Sequence, residues 1–162
     1  TLERIETIGI KKYINKSTKL LDIGCNDGYF SMELAPLVDS VTGVEPHVEL
    51  PDPLDNVTWQ KKDFNTFCEK QDKTYNVLLS LAVSIQLRDF GGITEQQIVD
   101  RYYDLLESDG LVIHETQKLA DRPNNQEHTK QMVDAFNTKF TQLEHGRARK
   151  GGGREYYVFR KN

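Results

Sequence analysis

A carboxylate and two glycines, Asp22, Gly24 and Gly28, stand where an apolar segment, residues 20–23, runs into a helical pattern. Glycine lets a ligand approach the backbone where a Cβ atom would collide, and the free N–H groups of the following helix point to the same place. In α/β proteins such a strand, turn and helix hold an adenosyl group. The spacing therefore predicts a turn that binds an adenosyl cofactor.

The acid in this turn separates two kinds of adenosyl cofactor. A dinucleotide site needs the spacing G-x-G-x-x-G, so that the pyrophosphate rests on the helix N-terminus. Here the spacing is Asp-x-Gly-x-Asn-x-Gly. A carboxylate beside the turn repels a pyrophosphate but attracts the ammonium group of an amino acid. A nicotinamide-dependent oxidoreductase is therefore disfavoured.

Residues 20–30 resemble the first motif of the class I S-adenosylmethionine-dependent methyltransferases, in which a carboxylate stands just before a glycine-rich turn. Asn26 occupies a position at which many members have a second glycine. The resemblance implies an α/β fold with a doubly wound, Rossmann-like seven-stranded sheet, mostly parallel with an antiparallel last strand. It also implies S-adenosylmethionine as the cofactor, with its methionine end at Asp22, Gly24 and Gly28. The expected cofactor-binding residues are Asp22, Gly24, Cys25, Asn26, Gly28, Tyr29, Phe30, Glu45, Pro46, Asp63, Phe64, Ser80 and Leu81.

Two further acids stand where an adenosyl group needs partners. Glu45 ends the second predicted strand, and the resemblance implies that it takes the ribose, because a carboxylate accepts two hydrogen bonds from a cis diol. Asp63 is a candidate acceptor for the adenine amino group and also a candidate helix N-cap, and both roles can hold. Three prolines between these acids, Pro46, Pro51 and Pro53, predict that the second helix of the fold is shortened or lost.

The remaining pattern predicts the elements that carry these residues. Apolar spacing predicts an entry helix over residues 2–15, and Thr94 with Gln97 forms a capping-box pattern that opens a helix ended by Gly110. The predicted strands cover residues 19–24, 40–45, 57–61, 75–81, 111–115, 140–145 and 155–160, and the other predicted helices cover residues 29–38, 65–70 and 127–136. Ligands of open α/β sheets bind beyond the carboxyl ends of the parallel strands.

Length and composition suit a single methyltransferase domain over residues 1–162. No apolar run approaches the roughly 20 residues of a membrane span, so a cytoplasmic protein is expected. Cys25 and Cys68, the two cysteines, give neither a disulfide framework nor a metal-ligand spacing, and no metal is expected. The chain begins at Thr1, so a trimmed chain and one domain fused to others in a longer protein both stay open.

The charge of the chain is unevenly distributed. Residues 139–162 hold seven Lys or Arg against two acids, whereas the whole chain carries a net charge of −4. The rest of the chain is therefore acidic. This disfavours sequence-independent binding along nucleic acid, which needs many phosphate contacts from a basic face. The basic segment instead predicts one anionic group as a partner, and the expected acceptor-binding residues are Gln86, Arg147, Arg149 and Arg154.

Methyl transfer needs a base only where the acceptor must lose a proton. The candidate catalytic residues are His114, Glu115 and His145, and His128 has the same chemistry. Each of them also has a structural interpretation. Residues 80–86 lack the Asp/Asn-Pro-Pro-aromatic motif and contain no Lys, which disfavours N-methylation of adenine or Gln and methylation of ribose.

Short segments, residues 80–87 and 153–160, resemble polysaccharide chain-terminating methyltransferases and RNA 5′-phosphate methyltransferases. Both groups modify phosphate-bearing ends. The expected activity is therefore O-methylation of an anionic acceptor, which is a small molecule, a saccharide or an RNA end. Two alternatives stay open: methylation of a neutral hydroxyl or nitrogen of a small metabolite, and a non-catalytic methyltransferase-like binding module.

Overall fold

The computed structural model describes residues 2–148 and 153–162, which form one seven-stranded sheet. In chain order the strands are β1 (Lys19–Ile23), β2 (Ser40–Val44), β3 (Val57–Gln60), β4 (Tyr75–Leu81), β5 (Leu106–Glu115), β6 (Phe140–Arg147) and β7 (Glu155–Lys161). Their order across the sheet is β3-β2-β1-β4-β5-β7-β6. Neighbours pair in parallel except β7, which runs antiparallel to both β5 and β6. The predicted doubly wound sheet with an antiparallel last strand is confirmed.

Helices cover both faces of this sheet. In the described residues they are α1 (Leu2–Ile8), α2 (Tyr29–Leu34), α3 (Phe64–Glu69), α4 (Ser84–Asp89), α5 (Glu95–Leu105) and α6 (Pro123–Phe136). Successive residues of a strand point to opposite faces, and β4 shows the result. Leu78 packs in the core formed with α3, α5 and α6, whereas Val77 and Leu79 pack in the core formed with α1 and α2. The central strand is thus buried on both faces, as its apolar run predicts.

No helix connects β2 to β3 among the described residues, and the predicted loss of the second helix is confirmed. Trp59, the single tryptophan of the chain, packs against the core on the α1 and α2 face instead. A Cβ atom on Gly43 would lie 2.5 Å from its ring, and its Nε1–H donates to the carbonyl of Pro51 at 2.9 Å. One aromatic side chain and a proline-containing loop therefore cover this part of the sheet.

Three helix ends differ from the sequence predictions. Helix α2 ends at Leu34 rather than at residue 38, and a short 3-10 helix, Ala35–Leu37, follows it. The entry helix ends at Ile8, because Gly9 adopts a φ of 69° and a short 3-10 helix, Ile10–Tyr13, follows it. Helix α5 begins with the predicted capping box but ends at Leu105, and Gly110 lies inside β5. The pairing of β5 with β4 shifts between Tyr75 and Val77, so a bulge absorbs the residues that the sequence pattern assigns to the helix.

Two further helices depart from the predicted pattern. Helix α4 follows β4 almost directly, in a segment for which no helix is predicted. Helix α6 begins at Pro123, a residue that suits the first helical turn because its missing N–H needs no partner there. Within residues 2–148 and 153–162, no helix has the length and apolar character needed to cross a lipid bilayer.

Candidate functional site

A cavity of about 830 Å³ opens at the carboxyl ends of β1, β2 and β4. This is the edge of the sheet at which ligands of open α/β folds bind. Its described lining residues are Arg4, Ile23, Gly24, Asn26, Val44, Glu45, Pro46, His47, Val48, Asp63, Phe64, Asn65, Leu81, Ala82, Val83, Gln86, Leu87, Phe90, Gly91 and Arg154. The volume lies in the upper part of the range of small-molecule sites, roughly 300–1,000 Å³.

The turn after β1 requires glycine at two positions. Gly24 has a φ of 67°, and a Cβ atom there would lie 2.3 Å from Cγ2 of Val83. Gly28 has a φ of 77°, and a Cβ atom there would lie 2.8 Å from the ring of Trp59. Asn26 also has a positive φ, 54°, and with Gly24 it lines the cavity. Cys25 is buried between them, and burial raises the pKa of its thiol.

Asp22 lies behind this turn and is 3% exposed. Ser31 on α2 donates its hydroxyl to the carboxylate at 2.7 Å. Burial raises the pKa of Asp22 to about 6, although the Ser31 hydrogen bond and the charge of Arg4 oppose that shift. Tyr29 and Phe30 begin α2, and the Arg4 guanidinium lies 4.8 Å from the centre of the Phe30 ring. None of Asp22, Gly28, Tyr29 and Phe30 lies on the cavity wall.

Glu45 stands on the cavity wall at the end of β2 and is largely buried. Its Oε1 accepts from the backbone N–H of His47 at 2.9 Å and of Val48 at 3.4 Å. Its Oε2 accepts from the backbone N–H of Asn26 at 3.2 Å. Because each carboxylate oxygen has two acceptor positions, Oε2 keeps one for a ligand. Pro46 lines the cavity beside it.

Asp63 is the N-cap of α3, as one of its two predicted roles requires. It accepts from the backbone N–H of Thr66 at 3.0 Å and from the Thr66 hydroxyl at 2.7 Å. These hydrogen bonds lower the pKa of the Asp63 carboxyl. Asp63 and its neighbours Phe64 and Asn65 line the cavity, so the cap leaves the residue accessible to a ligand.

Two arginines meet at one buried carboxylate on the other side of the cavity. Glu115 ends β5 and is fully buried. Arg4 of α1 donates to it through Nε at 3.0 Å and through Nη2, and Nη1 of Arg154 lies 3.6 Å away. Both arginines line the cavity. The sequence predictions include Arg154 but miss Arg4, because nothing local links a residue of the first helix to one 111 positions later.

The two predicted histidine bases lie away from the cavity, which corrects the expectation that they face an acceptor. His114 points to the α5 and α6 face, lies 3.2 Å from the Ser80 hydroxyl, and is buried against Phe136. Burial lowers the pKa of His114 to about 3. His145 lies on the edge strand β6, stacked on Tyr157 and 3.4 Å from Glu155.

The segment after β4 forms the third side of the cavity. Leu81, Ala82 and Val83 line it, and Ala82 has a φ of 60°, a conformation that non-glycine residues seldom adopt and that clusters at functional sites. Gln86 on α4 faces the cavity and accepts from Nε2 of Gln117 at 3.0 Å. Ser80, predicted to contact the cofactor, points instead to the opposite face of the sheet and bonds the Tyr102 hydroxyl at 2.9 Å.

Arg147 and Arg149 are the remaining predicted acceptor residues. Arg147 ends the edge strand β6, is exposed, and does not line the cavity. Arg149 lies outside the described residues. Among the predicted acceptor residues that the structure describes, Arg154 and Gln86 are the two that line the cavity. Among residues 2–148 and 153–162, no cluster of His, Cys, Asp and Glu has the arrangement of a metal site.

Comparisons with known proteins identify the family of the chain. A family model described as a methyltransferase domain matches residues 3–156. The N-methyltransferase NodS from Bradyrhizobium japonicum WM9 has a TM-score of 0.76 at 14% sequence identity, covering 99% of this chain and 94% of that chain. NodS in complex with S-adenosyl-L-homocysteine has a TM-score of 0.75 at 14% identity, with coverage of 99% and 86%. A methyltransferase from Methanosarcina mazei, described as dependent on S-adenosylmethionine, has a TM-score of 0.67 at 14% identity, with coverage of 94% and 96%. A search of curated protein sequences finds no match.

The structural likeness at these identities concerns the fold, and the family match covers most of the chain. Fold, turn and family model agree with the resemblance of residues 20–30 to the first methyltransferase motif. The chain therefore belongs to the methyltransferase-domain family and is a class I S-adenosylmethionine-dependent methyltransferase.

Proposed function

We propose that S-adenosylmethionine lies across the strand ends, with its adenine at Asp63, its ribose at Glu45 and its methionine part at Gly24 and Asn26. Two observations support this fit. Oε2 of Glu45 has a free acceptor position on the cavity wall. The turn at Gly24 keeps its backbone at the cavity surface, in a conformation that favours glycine.

Bound S-adenosylmethionine supplies a methyl group on a positively charged sulfur. The residues of the chain then have to align the acceptor with that methyl group and exclude water. Leu81, Val83 and Leu87 give the cavity an apolar wall between its two charged ends. An apolar wall favours close approach of the two reactants without competing water.

The single observation that carries the acceptor class is the pair of arginines at Glu115. Arg4 and Arg154 share the carboxylate of Glu115, so two guanidinium groups of the cavity wall meet at one buried carboxylate. Guanidinium groups bind phosphates and carboxylates with paired hydrogen bonds. We therefore infer that the acceptor carries a phosphate or carboxylate and that an oxygen of the acceptor takes the methyl group.

The distribution of titratable groups supports the same conclusion. In the described lining, two acids and a histidine lie at the β2 and β3 end, namely Glu45, His47 and Asp63. At the other end Glu115 is engaged by Arg4 and Arg154 and is buried. An acceptor oxygen that is already ionised needs no base, which agrees with this arrangement.

A nitrogen acceptor is the second candidate. NodS, which shares the fold, is described as an N-methyltransferase. A neutral amine also needs no base to attack the methyl group. It ranks second because the guanidinium groups of Arg4 and Arg154 on the cavity wall oppose the approach of a protonated amine.

Transfer of a labelled methyl group to matched pairs of acceptors tests the proposal. Each pair differs in one anionic group: a sugar phosphate and the free sugar, a uronic acid and the neutral sugar, an RNA with a 5′-phosphate and one with a 5′-hydroxyl. Label should enter the anionic member of a pair. The rate should not rise through neutral pH beyond the ionisation of the acceptor, since no base has to lose a proton.

Two arginine variants provide the matched control. Arg154→Gln should raise the KM for the anionic acceptor at least tenfold, whereas Arg147→Gln, on an exposed arginine outside the cavity, should leave it unchanged. Equal labelling of both members of every pair would contradict the anionic acceptor. Calorimetric titration with S-adenosylhomocysteine, with NAD as the control ligand, checks the cofactor site separately.

A further inference from the structure

The Phe90 ring is exposed at the mouth of the cavity. Five large hydrophobic side chains of the described residues are exposed: Leu2, Leu37, Leu54, Phe90 and Leu143. Phe90 is the most exposed of them, at 88%, and among the five it alone lines the cavity. An aromatic ring in water is stabilised when a second flat, apolar surface covers its face. The position therefore suits a ligand with a planar ring.

The backbone around Phe90 is held in place on both sides. The N–H of Phe90 donates to the carbonyl of Gln86 at 2.9 Å, and the N–H of Gly92 donates to the carbonyl of Arg88 at 3.0 Å. A Cβ atom on Gly91 would lie 2.2 Å from the carbonyl oxygen of Leu87, so the tight end of α4 depends on that glycine. The exposed ring thus projects from an ordered turn.

Helix α4 itself is anchored from behind by buried side chains. The hydroxyl of Ser84 lies 2.8 Å from Nε2 of His128, and Nδ1 of His128 lies 2.8 Å from Glu95. Arg88 bonds the same Glu95 carboxylate at 3.3 Å. These contacts fix α4 against α5 and α6 while Gln86, Leu87 and Phe90 face the cavity.

The position of the ring relative to the two ends of the cavity follows from Asn65. Its side-chain amide donates to the carbonyl of Gly91 at 2.8 Å, and Asn65 follows Asp63 and Phe64 at the start of α3. Phe90 is therefore tied to the end of the cavity that holds Asp63. We propose that the Phe90 ring stacks on the adenine of the bound cofactor, an inference that rests on the proposed placement of the adenine at Asp63.

Binding of two probes to three variants tests this role. S-adenosylhomocysteine and 5′-methylthioadenosine share the adenosine group, but only the first carries the amino acid. Phe90→Ala should weaken both by the same factor, roughly tenfold, within the range measured for stacking of bases on aromatic side chains. Phe90→Leu, which keeps an apolar side chain, should recover part of the affinity. Leu143→Ala removes an exposed hydrophobic side chain far from the cavity and should change neither affinity.

Nuclear magnetic resonance gives a readout that is specific for stacking. The adenine protons of bound S-adenosylhomocysteine should show upfield ring-current shifts with the wild type that are lost with Phe90→Leu. If the wild type binds both probes and Phe90→Ala binds them equally well, the stacking role is wrong while the proposed function stands. If Phe90→Ala weakens S-adenosylhomocysteine alone, the ring acts on the amino-acid part and the stacking role is again wrong. If the wild type binds neither probe, the proposed function itself fails.

Discussion

The end of the cavity at Glu45 is held by backbone groups, whereas the end at Glu115 is held by side chains from distant parts of the chain. Glu45 accepts hydrogen bonds from the N–H groups of Asn26, His47 and Val48, all in the two turns that flank it. Glu115 accepts from Arg4 in the first helix and lies near Arg154, the residue just before the last strand. The first arrangement follows from two strand ends, and the second requires the complete fold.

Because of this difference, we expect the two ends of the cavity to be sensitive to different substitutions. A site built from backbone turns tolerates changes of exposed side chains but is sensitive to an added Cβ atom where φ is positive. A site built on a buried ion pair is sensitive to the loss of either partner, because the remaining charge is left without compensation. Each end can therefore be broken by a substitution that the other end would tolerate.

The largest effect is expected from Arg4→Met. Arg4 makes the two side-chain hydrogen bonds to Glu115, whose side chain is fully buried, and Arg154 is the more distant partner. Removing one partner of a buried ion pair costs about 3–5 kcal/mol in unfolding free energy. Urea unfolding should show this loss as a lower midpoint with an unchanged slope.

The double variant Arg4→Met with Glu115→Gln is the matched control. Its neutral amide leaves no uncompensated charge in the core, so a large part of the lost stability should return. A single variant within about 1 kcal/mol of the wild type would mean that the pair behaves like an exposed salt bridge. A double variant no more stable than the single one would contradict the argument from buried charge.

Gly24→Ala should damage the other end nearly as much. The residue has a φ of 67°, which costs an L-residue about 1–2 kcal/mol. The added Cβ would also lie 2.3 Å from Val83, and overpacking costs about 1–3 kcal/mol. Binding of S-adenosylhomocysteine should be lost together with part of the stability, because the displaced turn lines the cavity.

Gly92→Ala separates the two contributions. Gly92 has a φ of 65°, but an added Cβ would meet nothing within 4 Å. This variant should therefore show the conformational cost alone, and the loss caused by Gly24→Ala relative to Val83→Ala should approach it when both substitutions are combined. Equal losses of unfolding free energy for Gly24→Ala and Gly92→Ala would show that Val83 yields and that crowding plays no part.

The same contrast explains which features the sequence predicts. The capping box of Thr94 and Gln97, the N-cap at Asp63 and the strand Tyr75–Leu81 are local patterns, and the structure contains all three. The parts of the cavity wall at Gly24, Glu45 and Asp63 follow from such strand and helix ends. Local chemistry is sufficient for them, because neighbouring residues satisfy the backbone groups.

Features that depend on tertiary contacts could not be predicted from local sequence patterns. Arg4 reaches Glu115 only because α1 packs on the sheet beside β5. The sequence pattern predicts that Gly110 ends a helix, but the residue lies in a strand. The reason is that β5 begins at Leu106, which pairs with Tyr75 of β4. Successive side chains of β5 point to opposite faces of the sheet, so His114 and Glu115 lie on different faces although they are neighbours in sequence. Periodicity could have identified that last difference.

Asp22 lies behind the turn at Gly24 and gives a predicted effect that is confined to one range of pH. Its pKa rises from 3.8 unfolded to about 6 folded, so between these values the folded state binds the proton more strongly. The contribution of Asp22 to the unfolding free energy should therefore fall as pH rises from about 4 to about 6, by about 3 kcal/mol, and then stay level. Asp22→Asn keeps an acceptor for Ser31 but removes the titration. Urea unfolding of both proteins should show Asp22→Asn gaining stability relative to the wild type across that window.

Parallel curves for the two proteins would contradict the raised pKa. The Arg4→Met variant then connects Asp22 to the ion-paired end of the cavity. The positive charge of Arg4 lowers the pKa of Asp22 and opposes the effect of burial. Without that charge the pKa of Asp22 should rise further, so the fall in stability should extend to a higher pH in Arg4→Met than in the wild type. An unchanged window would mean that Arg4 acts on Glu115 alone and that the two ends of the cavity are electrostatically independent.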